Sequence, residues 1–282
     1  MRDPSAGSVW RRLGAKVTVL EAGEAFLPAA DAQVAATALK LLKKQGLTIH
    51  CGVKISAVQT TANNVTVEYE GKSGNTTETF DRLLIAVGRV PNTAELGAEC
   101  VGLKIDTRGF IEVDDHCRTN LAQVWAVGDA VRGPMLAHKA SEEGVMVAEL
   151  IAGQAGHMNY DTIPYVIYTA PEIAWVGKTE QELKAATTPY DVGQFPFAAN
   201  GRAHALGETA GFVKILTDTA TGRILGVHII GASASELIAE AVISMEFASS
   251  AEDIARIIHA HPSLSESLHE AALSAAKRAI HI

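Results

Sequence analysis

The sequence contains few cysteines, and they lie far apart. Cys51, Cys100 and Cys117 are the three cysteines in 282 residues, and their spacing matches neither a redox-active pair nor a zinc site. We therefore expect each to be a reduced, buried small side chain. The sequence also lacks a cluster of metal-ligating residues and a serine nucleophile elbow, so no metal site is predicted.

Other missing features narrow the class of protein. No apolar run has the length of a transmembrane helix, and residues 1–14 lack the apolar segment of a secretory signal. The formal net charge is −8, which gives no sign of a nucleic-acid or anionic-membrane partner. We expect a cytoplasmic protein. The 48% of hydrophobic residues is ample for a globular core.

The first half of the chain alternates between helical and strand-like patterns. Helices are predicted at 5–13, 31–45 and 137–151, the first two ended by Gly14 and Gly46. Strands are predicted at 16–21, 47–50, 54–60, 65–70, 76–80 and 110–113, with a hairpin at 71–74. The apolar runs 82–87 and 124–127 are predicted as buried parallel strands.

The second half has a different order of elements. After a linker-like segment at 153–164, strands are predicted at 173–176, 190–197, 212–217 and 224–230. Helices are predicted at 234–249, 251–258 and 263–279. Strands followed by helices indicate an α+β domain with its helices on one face of an antiparallel sheet.

Two acidic residues follow predicted strands. Glu21 stands where a Rossmann unit places the acid that binds a nucleotide ribose, although an ordinary strand-end acid has the same pattern. Gly128 precedes Asp129, and the missing Cβ would let a ligand approach while the carboxylate accepts hydrogen bonds from sugar or ribityl hydroxyls. A simple turn remains the alternative for this pair.

A histidine near the carboxyl end is a candidate proton acceptor. Pro262 holds His261 just outside a helix, and imidazole titrates near neutral pH. Glu266 could orient that ring. Alternatively, Ser263 and Glu266 form a capping box, and both roles are compatible because a carboxylate has two oxygens. We expect the nearby His259 and His269 to be solvated or satisfied helix residues.

Taken together, six stretches in this order and with compatible gaps resemble the dihydrolipoyl dehydrogenase family. They are GSVWRRLGAKVTVLE (7–21), LIAVGRVPN (84–92), VWAVGD (124–129), PMLAHKA (134–140), FPFAAN (195–200) and HAHPSLSE (259–266). The MLAHKA run (135–140) favours this family over glutathione and mercuric reductases.

The resemblance implies an FAD- and NAD-dependent oxidation of protein-bound dihydrolipoamide. It implies that His261 is the base and that Glu266 orients it. Asp129 would bind the FAD ribityl chain, with Met135, Leu136, Ala137 and His138 along the flavin. Glu21, Ile55 and Gly88 would contact NAD.

The resemblance also implies a domain order and partners. The fold class is α/β: a partial Rossmann-like NAD domain at 1–88, an FAD-contacting segment at 89–155 and an α+β dimerisation domain with an antiparallel sheet at 156–282. In a homodimer, His261 would act at the other subunit's site. Lipoyl domains of 2-oxo acid dehydrogenase complexes or of the glycine cleavage system would be the partners.

The sequence departs from the family pattern at its start. The Gly-rich FAD loop and the nearby cysteine pair are missing, and residues 1–6 stand where a second Gly-rich loop should carry the NAD pyrophosphate. We expect a C-terminal fragment that is inactive by itself and whose strand at 16–20 lacks a central neighbour. The alternatives are a non-enzymatic dimerisation module and a fragment of a related disulfide reductase.

Overall fold

The computed structural model describes residues 4–282, which divide into two compact units. One unit combines the chain up to Ala86 with Asp161–Ile282, and the other is Val87–Tyr160. The predicted mixture of a parallel, Rossmann-like pair and a later antiparallel sheet is confirmed. None of the helices within 4–282 is long and apolar enough to cross a membrane.

The chain begins with a helix–strand–helix–strand segment. It comprises α1 (Ser5–Arg12), β1 (Thr18–Glu21), α2 (Ala32–Lys44) and β2 (Thr48–Cys51). β1 and β2 pair in parallel and α2 is the crossover between them. Asp31 begins α2, because its carboxylate accepts a hydrogen bond from the amide of Gln33 at 3.0 Å. Among the described strands, β2 is the single partner of β1.

A small antiparallel sheet follows, as predicted. Its strands are β3 (Lys54–Thr60), β4 (Val65–Gly71) and β5 (Gly74–Phe80). Gly71 and Gly74 face each other at the end of the hairpin, and Gly74 has a φ of +92°, a conformation that favours glycine. Val53, Val67 and Tyr69 form a small core beneath this sheet.

Three strand predictions in the middle of the chain are wrong. Residues 82–87 form no strand, and Ile85 and Val87 are 73% and 75% exposed. Residues 110–113 and 124–127 contribute isolated bridges through Ile111 and Trp125. An apolar run becomes a strand only where a neighbouring strand accepts and donates its backbone hydrogen bonds, and no described strand does so here. The second compact unit, Val87–Tyr160, contains α3 (Ala98–Val101) and α4 (Ala137–Ile151). The limits of α4 are those predicted.

The last part of the chain builds a five-stranded sheet of order β6-β7-β10-β9-β8, antiparallel throughout. Its strands are β6 (Tyr165–Ile167), β7 (Glu172–Gly177), β8 (Tyr190–Pro196), β9 (Phe212–Asp218) and β10 (Ile224–Gly231). Its helices are α5 (Glu180–Ala185), α6 (Gly201–Leu206), α7 (Ala234–Glu246), α8 (Ala251–Arg256) and α9 (Glu266–Ala275). The short elements β6, α5 and α6 were not predicted.

Helices cover both faces of this sheet. On one face, α7, α8 and α9 bury a core that includes Val213, Val227 and Ile238. On the other face, Val34 and Leu42 of α2 belong to one core with sheet residues such as Ile173, Trp175, Phe212 and Ile230. The three helices predicted for this domain, α7, α8 and α9, therefore lie on one face of the sheet, as predicted. The packing of α2 on the opposite face was not predicted, and it attaches the N-terminal segment to the C-terminal sheet.

Buried charges lie at the junction of α2 and this sheet. Lys214 on β9 places its ammonium 3.0 Å from Asp31 and 2.5 Å from Glu180, and the Lys214 and Asp31 side chains are fully buried. Burial raises the pKa of Asp31, but neighbouring His228 and Lys214 outweigh it and hold that pKa below its usual value. Burial lowers the pKa of His228 to about 4, so that imidazole is neutral at pH 7.

The neutral His228 predicts a pH-dependent loss of stability. Its folded-state pKa is about 4 and its ordinary value is 6.5, so between these values the unfolded chain binds the proton more readily. Stability contributed by this group is present above pH 6.5 and is lost as pH falls through about 4. We expect the wild type to lose about 3 kcal/mol more than His228→Gln across this window.

Urea unfolding at a series of pH values measures the free energy of unfolding of the wild type and of His228→Gln. The control His116→Gln replaces an exposed histidine and should follow the wild type. Parallel pH curves for the wild type and His228→Gln would contradict a neutral buried imidazole.

Candidate active site

The loop between α8 and α9 presents His261 to solvent. The His261 side chain is 75% exposed, and its Nδ1 lies 2.7 Å from Oε1 of Glu266 at the start of α9. Burial opposes ionisation of Glu266, but hydrogen bonds from Ser263 and His261 outweigh it and its pKa lies below the usual value. Because an ionised carboxylate can only accept a hydrogen bond, Nδ1 of His261 must be the donor in this contact. Nε2 then carries the lone pair and can accept a proton.

Glu266 also fulfils part of the alternative capping role. Its second oxygen, Oε2, accepts a hydrogen bond from the backbone amide of Ser263 at 2.8 Å. The hydroxyl of Ser263 lies 3.0 Å from that of Ser265, and no side-chain cap bond closes the start of α9. Half of the predicted capping box is thus present, and the two roles coexist on the two oxygens of one carboxylate.

Asp129 lies in a single 3-10 turn, Gly128–Ala130, and its side chain is exposed. Gly128 has a φ of +76°, and a Cβ added there would lie 3.1 Å from Cβ of Ala140. Glycine is required here both by the backbone conformation and by the close approach of α4. The pair thus forms the tight turn named as the alternative, with an exposed carboxylate, and its binding of sugar or ribityl hydroxyls stays a prediction.

A buried ion pair holds Gly128 in place. Lys139 and Glu143, one turn apart on α4, are fully buried and 3.0 Å apart. Oε2 of Glu143 accepts the Gly128 amide hydrogen at 2.7 Å, and the Lys139 ammonium donates to the Gly128 carbonyl at 3.2 Å. The hydroxyl of Tyr160 donates to Glu143 at 3.0 Å, and burial raises the pKa of this phenol.

Lys139 and Glu143 were not predicted from the sequence as residues that support this turn. Lys139, Glu143 and Met146 have the spacing of one helix face, and that face is the buried one. A lysine and a glutamate at positions i and i+4, on the same helix face as the apolar Met146, were the available signal.

The residues predicted to line a flavin surround the start of α4. Leu136 precedes the helix, while Ala137 and His138 are exposed in its first turn. The first amides of a helix have no partner within it and carry a partial positive charge, which suits an electron-rich group. Arg89 donates to the carbonyl of Met135 at 3.5 Å. Exposed residues and a helix terminus leave this segment accessible to a bound molecule.

The residues predicted for NAD belong to both compact units of the chain. Glu21 is buried, and its carboxylate accepts the amide hydrogen of Gly23 at 2.5 Å, which closes the turn after β1. Ile55 is 47% exposed beside a bulge in β3. Gly88, with a φ of +133°, belongs to the other compact unit. Their contacts with NAD stay a prediction.

The thiols are free, but not all of them are buried. Cys117 is buried and Cys51 partly so, whereas Cys100 is exposed on α3, so the prediction of a buried side chain is wrong for Cys100. Burial raises the pKa of Cys117, whose sulfur lies 3.7 Å from the hydroxyl of Tyr160. Within residues 4–282, no group of histidine, cysteine and acidic side chains could hold a metal ion.

Comparison with known families gives two matches along the chain. Residues 5–144 match the model of the pyridine nucleotide-disulphide oxidoreductases, and residues 163–272 match the dimerisation domain of the same proteins. The two ranges follow one another and leave only short segments unmatched.

Curated relatives match nearly the whole chain. A dihydrolipoyl dehydrogenase of Cupriavidus necator is 60% identical over 98% of this chain, and a mitochondrial dihydrolipoyl dehydrogenase of Dictyostelium discoideum is 48% identical over 98%. The chain spans 58% and 57% of the lengths of these relatives.

Two solved structures also match most of the chain. LpdA of Mycobacterium tuberculosis has a TM-score of 0.87 at 28% identity, covering 95% of this chain and 58% of its own. The copper(II) complex of the HOCl-induced flavoprotein disulfide reductase RclA of Escherichia coli has a TM-score of 0.86 at 29% identity, with coverages of 95% and 60%.

The support of Gly128 by Glu143 can be tested by hydrogen exchange. In Glu143→Ala the Gly128 amide loses its acceptor, and we expect it to exchange about 10- to 100-fold faster. In Glu143→Gln the side-chain oxygen still accepts, so the loss should be smaller. Glu142→Ala, which removes an exposed neighbour on the same helix, is the control. Equal protection of Gly128 in Glu143→Ala and Glu142→Ala would contradict this support.

Proposed function

This chain belongs to the pyridine nucleotide-disulphide oxidoreductase family, and we propose that it is part of a dihydrolipoyl dehydrogenase. That enzyme oxidises protein-bound dihydrolipoamide with NAD and uses FAD. The observation that carries the proposal is the exposed His261, bonded through Nδ1 to Glu266 with Nε2 available to accept a proton. The 60% identity with the C. necator relative supports this substrate.

The chemistry assigned to this chain is a proton transfer. Nε2 of His261 accepts the proton of a dihydrolipoamide thiol, which leaves a thiolate. Glu266 keeps the ring oriented through Nδ1 and stabilises the imidazolium that forms. The thiolate then needs a disulfide to attack, and the dispersed cysteines of this chain do not supply one. We place the disulfide in the part of the relatives that this chain does not span, so we expect no turnover by this chain alone.

The residues around Gly128 fit the polyol end of a flavin nucleotide. Asp129 offers exposed acceptor oxygens for the ribityl hydroxyls, and Gly128, whose missing Cβ lets Ala140 of α4 approach, forms the tight turn that presents them. Met135, Leu136, Ala137 and His138 would lie along the flavin. FAD, when bound, accepts the electron pair of the substrate. Glu21, Ile55 and Gly88 are the residues of this chain that we assign to NAD.

The last part of the chain is proposed to form a homodimer. It matches a dimerisation domain, and it exposes Ile243 (59%), Phe247 (79%) and Ile258 (97%). Exposed apolar side chains of this size are typical of an interface, and Phe247, the residue after α7, follows Ile243 by four positions. In the dimer, His261 would serve the partner's site, with lipoyl domains as the substrate carriers.

Other functions have less support. A non-enzymatic dimerisation module would not need an exposed histidine oriented by a carboxylate. A glutathione or mercuric reductase is disfavoured by the names of the two relatives described above, which are dihydrolipoyl dehydrogenases. The cytoplasmic location stays a prediction, and the D. discoideum relative is named as mitochondrial.

A chimera tests the role of His261. The part of the C. necator relative that this chain does not cover would precede the chain, and NADH formation from dihydrolipoamide would be followed. We expect His261→Gln to lower kcat by about 10²- to 10⁴-fold, as loss of a positioned base does, with the flavin spectrum unchanged. Glu266→Gln should lower it less, because the amide oxygen can still hold the ring.

His204→Gln is the matched control. His204 is an exposed histidine on α6 whose ring contacts a backbone carbonyl, and it should keep full turnover. Equal activity of His261→Gln and His204→Gln would remove His261 from the role of base.

A second variant tests dimerisation. Phe247→Glu places a charge in the proposed interface, where burying it unpaired is costly, so we expect a shift from dimer to monomer in sedimentation velocity. Val58→Glu introduces the same charge at a 47% exposed position on β3 and should leave the dimer intact. A wild-type chain that is monomeric at micromolar concentration would contradict the proposal.

A further inference from the structure

His259 lies two residues before the proposed base, but its environment is different. Its side chain is 7% exposed, against 75% for His261. Nε2 of His259 lies 2.6 Å from Oε1 of Glu240 on α7, and its Nδ1 lies 2.9 Å from the carbonyl oxygen of Ile257. Both ring nitrogens are therefore engaged, as expected for a satisfied histidine.

A second histidine supports the same ring. The rings of His259 and His269 stack with centroids 5.0 Å apart and planes at 28°. His269 belongs to α9, and its Nε2 is bonded to the carbonyl oxygen of Ala255 on α8 at 3.1 Å. The His259 ring thus connects α7, α9 and the end of α8 at the point where the loop to His261 begins.

We propose that His259 and Glu240 are positioning residues that clamp this loop and fix the direction in which His261 projects. The chain from Ile257 to Pro262 is held at one end by the His259 ring and at the other by the bonds of Glu266 to His261 and Ser263. A proton acceptor functions only within hydrogen-bond reach of its donor, so a loop held at both ends keeps Nε2 in place.

The hydrogen-bond partners also separate the roles of the two histidines. The carbonyl of Ile257 accepts only, so Nδ1 of His259 carries a hydrogen, and a second hydrogen lies between Nε2 and the Glu240 carboxylate. His259 has no nitrogen left for a substrate. His261 has one engaged nitrogen and one exposed. In the segment HAHPSLSE (259–266), His259 therefore has the role of positioning the loop and His261 that of accepting the proton.

The clamp itself can be tested in the chain as it stands, by NMR of the His261 ring. In Glu240→Ala the His259 ring loses its anchor on α7, and we expect a lower order parameter for the His261 ring. Glu240→Gln retains an oxygen that accepts from Nε2 and should restore most of the order. Glu240→Asp shortens the carboxylate by one methylene group and should be intermediate, and it serves if Glu240→Ala does not fold. Glu236→Ala, one turn earlier on α7 and exposed, is the matched control.

The catalytic consequence rests on the proposed function and is tested in the chimera. A displaced base slows only the step that uses it, and a misplacement of about 1 Å costs up to about 100-fold. We expect Glu240→Ala to lower kcat for dihydrolipoamide by about 10- to 100-fold. NADH oxidation by an artificial electron acceptor, which needs no base, should be unchanged. A purely structural role would lower both activities together.

Different results would reject the proposed function and the proposed clamp. A chimera that binds flavin but does not oxidise dihydrolipoamide would reject the proposed function, while the NMR comparison would still decide the clamp. His261 order in Glu240→Ala and Glu240→Asp equal to that in Glu236→Ala would overturn the clamp, whatever the activity.

Discussion

The contact between Asp31 and Lys214 holds together parts of the chain that are far apart in sequence. Asp31 ends the loop before α2, and Lys214 lies inside β9, where water cannot solvate its ammonium. A buried charge without a partner costs several kcal/mol, so neither side chain can leave the other without destabilising the fold. The contact keeps α2 on the back face of the five-stranded sheet. The short parallel pair β1–β2, which is too small to be stable alone, is supported in this way.

The same arrangement recurs wherever a functional group must be oriented. A carboxylate binds both a backbone amide and a side chain. Glu266 uses one oxygen for Ser263 and the other for His261, whereas Asp31 accepts from Gln33 on Oδ1 and contacts Lys214 with both oxygens. Glu143 holds Gly128 together with Lys139. Because the amide fixes the carboxylate, the carboxylate in turn fixes its second partner. The ring of His261 is therefore oriented by an acid nearby in the sequence, and the turn at Asp129 by an acid on the helix that follows it.

Much of the secondary structure could be predicted because it depends on local chemistry. The N-cap of α2 and the hairpin glycines after β4 both follow from residues within a few positions of one another. The strands expected at 82–87 and 124–127 failed for the opposite reason. Their apolar pattern was real, but a strand is completed by hydrogen bonds to another strand, and the composition of a segment contains no information about that neighbour.

The sequence by itself determined the longer helices, the small antiparallel sheet and the glycine at position 128. It also determined the pairing of His261 with Glu266, because these two residues are only five positions apart. Tertiary structure decided which histidine is held and which is exposed, since the partners of His259 come from α7 and α9. It likewise decided that Lys139, Glu143 and Lys214 are buried. Burial of a charge depends on which distant residue meets it, and that contact exists only once the chain has folded.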